Sequence, residues 1–276
     1  MHKVCLAGNG WGAIAALNSL KRVYSSLYVV TDDIDVISQM REQDILVEGI
    51  NVGKYDVIVC SGYQPIIPQD VIESNRIINI HYSLLPKYRG MHSTVWAIIN
   101  GESELGLTIH EVNEFIDDGD IIFQHRIEYK DQTSTEIMEY CNLYIEENLS
   151  NIILDYISGK IDTVAQDKSL ASWVCKRNID DCKLDFSLDL KLIKRFFKAL
   201  SFPYPRPFFI FNGKRLTIEK ADFVENGTIM TFGRVVNVDI DGVWIQVKNG
   251  YLIASLIKDE SGEIFNNELI KIGSRL

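Results

Sequence analysis

Asn79 and His81 stand two residues apart at the end of the apolar run Arg76-Ile77-Ile78-Asn79-Ile80. An apolar, β-branched run of this length predicts a buried strand. Side chains alternate along a strand, so Asn79 and His81 share one face with Ile80 opposed. An amide donor and an imidazole with an ordinary pKa near 6.5 suit oxyanion stabilisation and proton transfer. A polar loop follows, Tyr82-Ser83-Leu84-Leu85-Pro86-Lys87-Tyr88-Arg89-Gly90. Downstream, Phe115-Ile116-Asp117-Asp118-Gly119-Asp120 separates the strand-like Leu107–Val112 from Ile121–Ile127 and supplies carboxylates. On its own that acidic segment reads as a solvated turn, because Asp and Gly favour turns for local backbone reasons.

The elements that must hold these groups follow from periodicity. Strands are predicted at 3–6, 26–30, 55–60 and 76–80, with helices near 12–20, 35–40, 69–74 and 94–100. Strands alternating with helices predict a parallel α/β sheet of Rossmann type, whose ligands bind at the carboxyl ends of the strands. Thr133–Ile157 has long helical periodicity and is expected to pack across that sheet. From Gly159 to Asp189 periodicity is lost. The expected domains are 1–165 for catalysis, 166–188 as linker and 189–276 as a smaller β-rich domain. After the helix Leu190–Leu200, turn signals at Asn212-Gly213, Asn226-Gly227, Asp241-Gly242 and Asn249-Gly250 predict tight hairpins in an antiparallel, OB- or barrel-like domain.

Taken together, Asn79-x-His81, the Ser83-Leu84-Leu85-Pro86 loop and Asp117-x-Gly119 resemble the folate-dependent formyltransferases. Asn100-Gly101-Glu102, Gly106-Leu107-Thr108-Ile109-His110 and Tyr63-Gln64-Pro65-Ile66-Ile67-Pro68 extend the likeness, which is densest from Val57 to Ile127. The resemblance implies a formyltransferase fold and 10-formyltetrahydrofolate as co-substrate. It implies Asn79, His81 and Asp117 as the catalytic set, with either His81 or Asp117 as the final base. Tyr63, Gln64, Pro65, Ile66 and Ile67, together with Asp117, Asp118 and Gly119, would line the folate pocket. Ser83, Lys87, Tyr88 and Arg89 are candidate acceptor contacts, as are Tyr204 and Arg206 in the Phe202–Phe208 segment. His110 matches the family strand and is read as structural.

Gly8-Asn9-Gly10-Trp11-Gly12 follows the first strand, and Asp32 and Asp33 follow the second. The spacing falls one residue short of the dinucleotide fingerprint. Gly10 and Trp11 are nevertheless candidates to meet a phosphate of the acceptor at a helix N-terminus.

The chain has 276 residues, is 46% hydrophobic and carries a net charge of −10. Nucleic-acid partners select basic clusters, so this charge favours a small acceptor and predicts no nucleic-acid partner. The expected reaction is formylation of the amine of a nucleotide-linked (dTDP, UDP or GDP) deoxyamino sugar for surface glycan synthesis. Methionyl-tRNA formylation, hydrolysis of the formyl donor and a non-catalytic folate- or nucleotide-binding module are the alternatives. Five unpaired cysteines and strand-length apolar runs predict reduced thiols, a cytoplasmic setting and no membrane partner. No structural metal is expected, and a homodimer is the default for a soluble enzyme.

Overall fold

The computed structural model describes residues 2–228 and 230–276. Its first sheet is built from β1 (Val4–Gly8), β2 (Tyr28–Val30), β3 (Ile45–Leu46), β4 (Val57–Ser61) and β5 (Ile77–His81), interleaved with α1 (Gly10–Leu20), α2 (Ile34–Ser38) and α3 (Gln69–Ser74). After the two-residue β6 (Arg89–Gly90) and α4 (Ser93–Asn100), β7 (Glu104–Glu111) and β8 (Ile121–Glu128) complete it. The strand order is β3-β2-β1-β4-β5-β7-β8. β1 to β5 run parallel, whereas β7 and β8 are antiparallel to their neighbours. Every residue of β1 and β4 is buried, as expected of parallel strands covered on both faces. Among the described residues, no helix is long and apolar enough to cross a membrane.

α5 (Ser134–Ile157) fulfils the long helical periodicity. Its Ser150 bonds Ser19 of α1, Asn142 accepts from the Tyr82 hydroxyl at 2.6 Å, and Tyr156 donates to Glu111. β9 (Trp173–Val174) then pairs in parallel with β6, an addition that two-residue strands give no periodicity to reveal. α6 (Leu190–Ala199) buries Leu190, Ile193 and Phe197 and is capped by the Asp189 side chain.

The C-terminal sheet comprises β10 (Phe208–Phe211), β11 (Lys214–Glu225), β12 (Val235–Asp239), β13 (Gly242–Val247) and β14 (Gly250–Lys258), ordered β10-β11-β14-β13-β12 and antiparallel throughout. Asn212-Gly213 turns with positive φ at both residues, the requirement of a tight hairpin. Asp241-Gly242 and Asn249-Gly250 likewise join paired strands. Asn226-Gly227 does not make the expected hairpin: β11 pairs with β10 and β14, and β12 pairs only with β13 at the sheet edge. β14 and β13 therefore stand between β11 and β12 in the sheet.

Contacts divide the chain into two compact units. The first holds residues 1–97, 103–129 and 136–176; the second holds 98–102, 130–135 and 177–276. The second has its own core, including Leu184, Phe186, Ile193, Phe209, Ile218, Val243 and Leu252.

Candidate active site

The register of β5 on β7 sets Asn79 directly opposite His110, with His81 two residues further along the same face. A bulge in the β7–β8 pairing falls between Ile109 and His110, beside the site. The loop between these strands carries Asp117 over the pair. Asp117 has φ 50°, a left-handed conformation that Asp tolerates and that turns its carboxylate back towards the sheet. Gly119 permits the loop's return, since a Cβ there would lie 1.8 Å from the Glu111 carbonyl oxygen.

The carboxylate of Asp117 sits among amide donors and the two imidazole rings. One oxygen accepts from the Gly90 amide at 2.8 Å and lies 3.4 Å from His81 Nδ1. The other is 3.4 Å from Asn79 Nδ2 and 3.5 Å from His110 Nε2. Burial alone would raise its pKa. The hydrogen bond from His110, the field of His81 and the Gly90 amide outweigh this and bring it to about 2. For His81, which is 6% exposed, burial is the larger effect and moves the imidazole below its usual 6.5. Asp117 opposes that shift and His110 adds to it. The imidazole is therefore a neutral base at neutral pH.

Carbonyl groups assign the tautomers, because a carbonyl can only accept. His81 Nε2 faces the Tyr88 carbonyl at 2.8 Å, so the proton of the neutral ring resides there and Nδ1 is the basic nitrogen. His110 Nδ1 donates to the Glu111 carbonyl at 2.7 Å; in the neutral ring Nε2 then accepts from Asn79 Nδ2 at 3.2 Å, and in the imidazolium it donates to the Asp117 carboxylate. His110 thus orients the Asn79 amide with its NH2 towards Asp117. Sequence reading left His110 outside the catalytic set; its position across from Asn79 becomes visible only once the strand register is known.

The remaining candidates divide by location. Arg89 is buried, with its guanidinium 2.6 Å from Asp118 and 2.7 Å from the Gln166 side-chain oxygen, so it is spent inside the fold. Ser83 donates to the Lys87 carbonyl at 2.7 Å and closes its own loop. Tyr88 presents its carbonyl to His81 and its amide to Ser172, while Lys87 is exposed. Tyr63 and Ile67 pack on the core beneath β4, whereas Gln64, Pro65 and Ile66 face solvent, Ile66 being 95% exposed. Phe115 and Ile116, beside Asp117, are 60% and 72% exposed. Tyr204 and Arg206 belong to the second unit. There Arg177 lies over the Tyr204 ring, and Arg206 donates to the Leu200 and Glu219 carbonyls.

The glycine loop is explained by packing. A Cβ at Gly8 would lie 1.7 Å from the Ser61 carbonyl oxygen, and one at Gly12 would lie 2.2 Å from the Tyr82 hydroxyl. The Gly10 amide at the start of α1 donates to Asp33 at 2.7 Å, and the Asn9 side chain is held by Asp32 and Thr31. The anion expected at this helix N-terminus is supplied by the chain itself. Trp11 is partly exposed beside it.

The formyl transferase model matches residues 31–149, and the formyl transferase C-terminal domain model matches residues 178–273. The methionyl-tRNA formyltransferase of Fusobacterium nucleatum is 31% identical over 253 residues, covering 85% of this chain and 79% of that protein. This chain belongs to the formyltransferase family. The Ehrlichia canis methionyl-tRNA formyltransferase is 32% identical over 209 residues, 74% of this chain and 66% of the relative. The solved N-formyltransferase of Helicobacter canadensis, in complex with folinic acid and dTDP-3-aminofucose, superposes with a TM-score of 0.70 at 20% identity, covering 92% of this chain and 99% of that one. At that identity the likeness is one of fold. The expected nucleotide-sugar acceptor is overturned by the curated relatives, which are methionyl-tRNA formyltransferases at 27–33% identity. The formyltransferase activity, a one-carbon transfer, stands.

Proposed function

We propose that this formyltransferase moves the formyl group of 10-formyltetrahydrofolate onto the α-amino group of methionine esterified to initiator tRNA. The observation that carries the reading is the extent of likeness to methionyl-tRNA formyltransferases, which runs through both units of the chain. In the reaction the amine attacks the formyl carbon, a C–N bond forms and the carbonyl oxygen becomes an oxyanion. The amine proton departs, the bond from carbon to folate N10 breaks, and N10 is protonated. Asn79 Nδ2 donates to the oxyanion, exchanging its long 3.4 Å approach to Asp117 for a stronger partner. His81 Nδ1 takes the amine proton, and Asp117 stabilises the imidazolium that results. The exposed Ile66, Phe115 and Ile116 offer apolar surface to the flat pterin, and the open backbone of 63–67 offers hydrogen bonds to its edge.

Charge distribution also favours a tRNA acceptor. The segment 177–276 has 15 Lys and Arg against 13 Asp and Glu, so the acidity lies wholly within the first 176 residues. α6 carries Lys191, Lys194, Arg195 and Lys198 at the spacing of one helix side; Lys191 is exposed, Lys194 lies over the Phe223 ring and Lys198 pairs with Asp131 at 3.2 Å. The whole-chain charge concealed this stripe. The reading implies a cytoplasmic enzyme, where aminoacyl-tRNA is made.

The test is to incubate the purified chain with 10-formyltetrahydrofolate and methionine-charged initiator tRNA and to resolve the product on an acid gel. Formyl-methionyl-tRNA is expected, with turnover lowered about 10²–10⁴-fold in His81→Asn, the usual contribution of a positioned base. Absence of product from the wild-type chain would overturn the acceptor assignment.

A further inference from the structure

Gln166 lies in the stretch without periodicity that follows α5, yet its side chain is buried, 8% exposed, and fully engaged. Its NH2 donates at 2.8 Å to the Asp117 carbonyl and at 2.8 Å to the Gly119 carbonyl. Its oxygen accepts from Arg89 at 2.7 Å. One amide therefore spans the loop in which Asp117 holds its positive φ, and ties that loop to β6. The Gly90 amide of β6 grips the Asp117 carboxylate directly. Asp118 closes the circuit through Arg89 at 2.6 Å and Lys168 at 3.2 Å, while the Trp173 ring covers the Arg89 guanidinium.

We infer that Gln166 is a positioning residue for formyl transfer: by clamping the carbonyls on either side of Asp118 it holds the Asp117 carboxylate against His81 Nδ1. The geometry requires such a clamp. The Asp117 and Gly119 carbonyls lie in a turn rather than a sheet ladder, and inside the protein they need donors. Gln166 supplies both with one side chain, and its third bond fixes that side chain to Arg89. The inference rests on the formyltransferase reading of the site but not on the identity of the acceptor.

The test compares Gln166→Met, nearly equal in volume and unable to make any of the three bonds, with Gln166→Leu, which also lacks both donors and adds no charge beside Asp117. Two readouts are taken: steady-state kinetics, and the His81 imidazole titration followed by 15N NMR on the chain without substrates. The charged and titratable groups facing the His81 ring are Asp117 and His110, with Arg89, Asp118 and Lys168 behind Asp117. If Asp117 withdraws, His81 loses the anion that raises its pKa. Both variants should then titrate at lower pH than wild type, and kcat should fall about 100-fold with KM for formyltetrahydrofolate unchanged, the scale of a small misplacement of a catalytic group. An unmoved His81 titration in either folded variant overturns the inference, even if kcat or stability falls, because Gln166 would then only support the fold. Should Gln166→Met fail to fold, Gln166→Leu carries both readouts. Because the titration needs no acceptor, failure of the tRNA assignment leaves this test intact.

Discussion

At the level of single residues, two backbone carbonyls decide which histidine nitrogens are free to act. The Tyr88 carbonyl reserves His81 Nε2, and the Glu111 carbonyl reserves His110 Nδ1, so one ring becomes a base and the other orients an amide. Asp117 is the shared partner of both. Its carboxyl is held near a pKa of about 2, below the ordinary 3.8, so the folded state favours its ionised form. The sign follows directly: this contribution is complete above pH 3.8 and is lost as pH falls towards 2. A shift of this size corresponds to roughly 2 kcal/mol. Urea midpoints measured from pH 6 to pH 2.5 should fall less steeply in Asp117→Asn than in wild type. Parallel curves would show that Asp117 gains nothing from the amides and imidazoles around it. Residue type and the alternation along β5 brought out Asn79 and His81 in the amino-acid order, whereas Asp117, a solvated turn by its own segment, joined them only through the resemblance of the motifs. His110's role and the Gln166 clamp were not legible there, since each depends on a partner distant in sequence.

Among the elements, the first β-α turn shows how one pattern serves two physical ends. A glycine-rich turn before a helix is suited to phosphate, but here Asp33 occupies the Gly10 amide and the flanking glycines answer to close packing. Gly8 lies against the Ser61 backbone with φ +150°, so neither the space nor the conformation admits a side chain. Gly8→Ala should therefore cost about 3 kcal/mol or more, at the upper end for overpacking. Gly12→Ala meets the Tyr82 and Ser61 hydroxyls, side-chain groups that can shift, the first by giving up its bond to Asn142, and should cost about 1 kcal/mol. Chemical denaturation of the two variants distinguishes these cases; equal losses would mean that the Ser61 carbonyl yields as readily as a side chain. Asp32 and Asp33, which follow the second strand, are the groups that lock the turn.

For the molecule as a whole, net charge and its distribution point to different partners. A total of −10 argues against nucleic acid, yet the residues from 177 onward are slightly basic and α6 concentrates four cations on one side. Lys191→Glu combined with Lys194→Glu should raise KM for charged tRNA about tenfold, leaving kcat and KM for formyltetrahydrofolate unchanged. It should also flatten the dependence of kcat/KM on salt, because fewer counterions are released on binding. An unaltered KM for tRNA would remove α6 from the acceptor surface. The contact units also gather 98–102 and 130–135 with the C-terminal residues, a grouping that no local composition marks.

Motif resemblance implied the formyl-transfer chemistry. Local order carried the parallel sheet, the helices around it and three of the four C-terminal turn signals. Each follows from short-range physics: strand alternation, helical period and the positive φ that Asn-Gly and Asp-Gly permit. Tertiary structure alone determined that β7 returns antiparallel beside β5, that Asn226-Gly227 leads into a crossing rather than a hairpin, and that Gln166 reaches back to the Asp117 loop. The first and the last rest on contacts between residues 31 to 49 positions apart. Their hydrogen bonds exist only after the chain has closed, so the sequence names the reacting groups while the fold sets their protonation and aim.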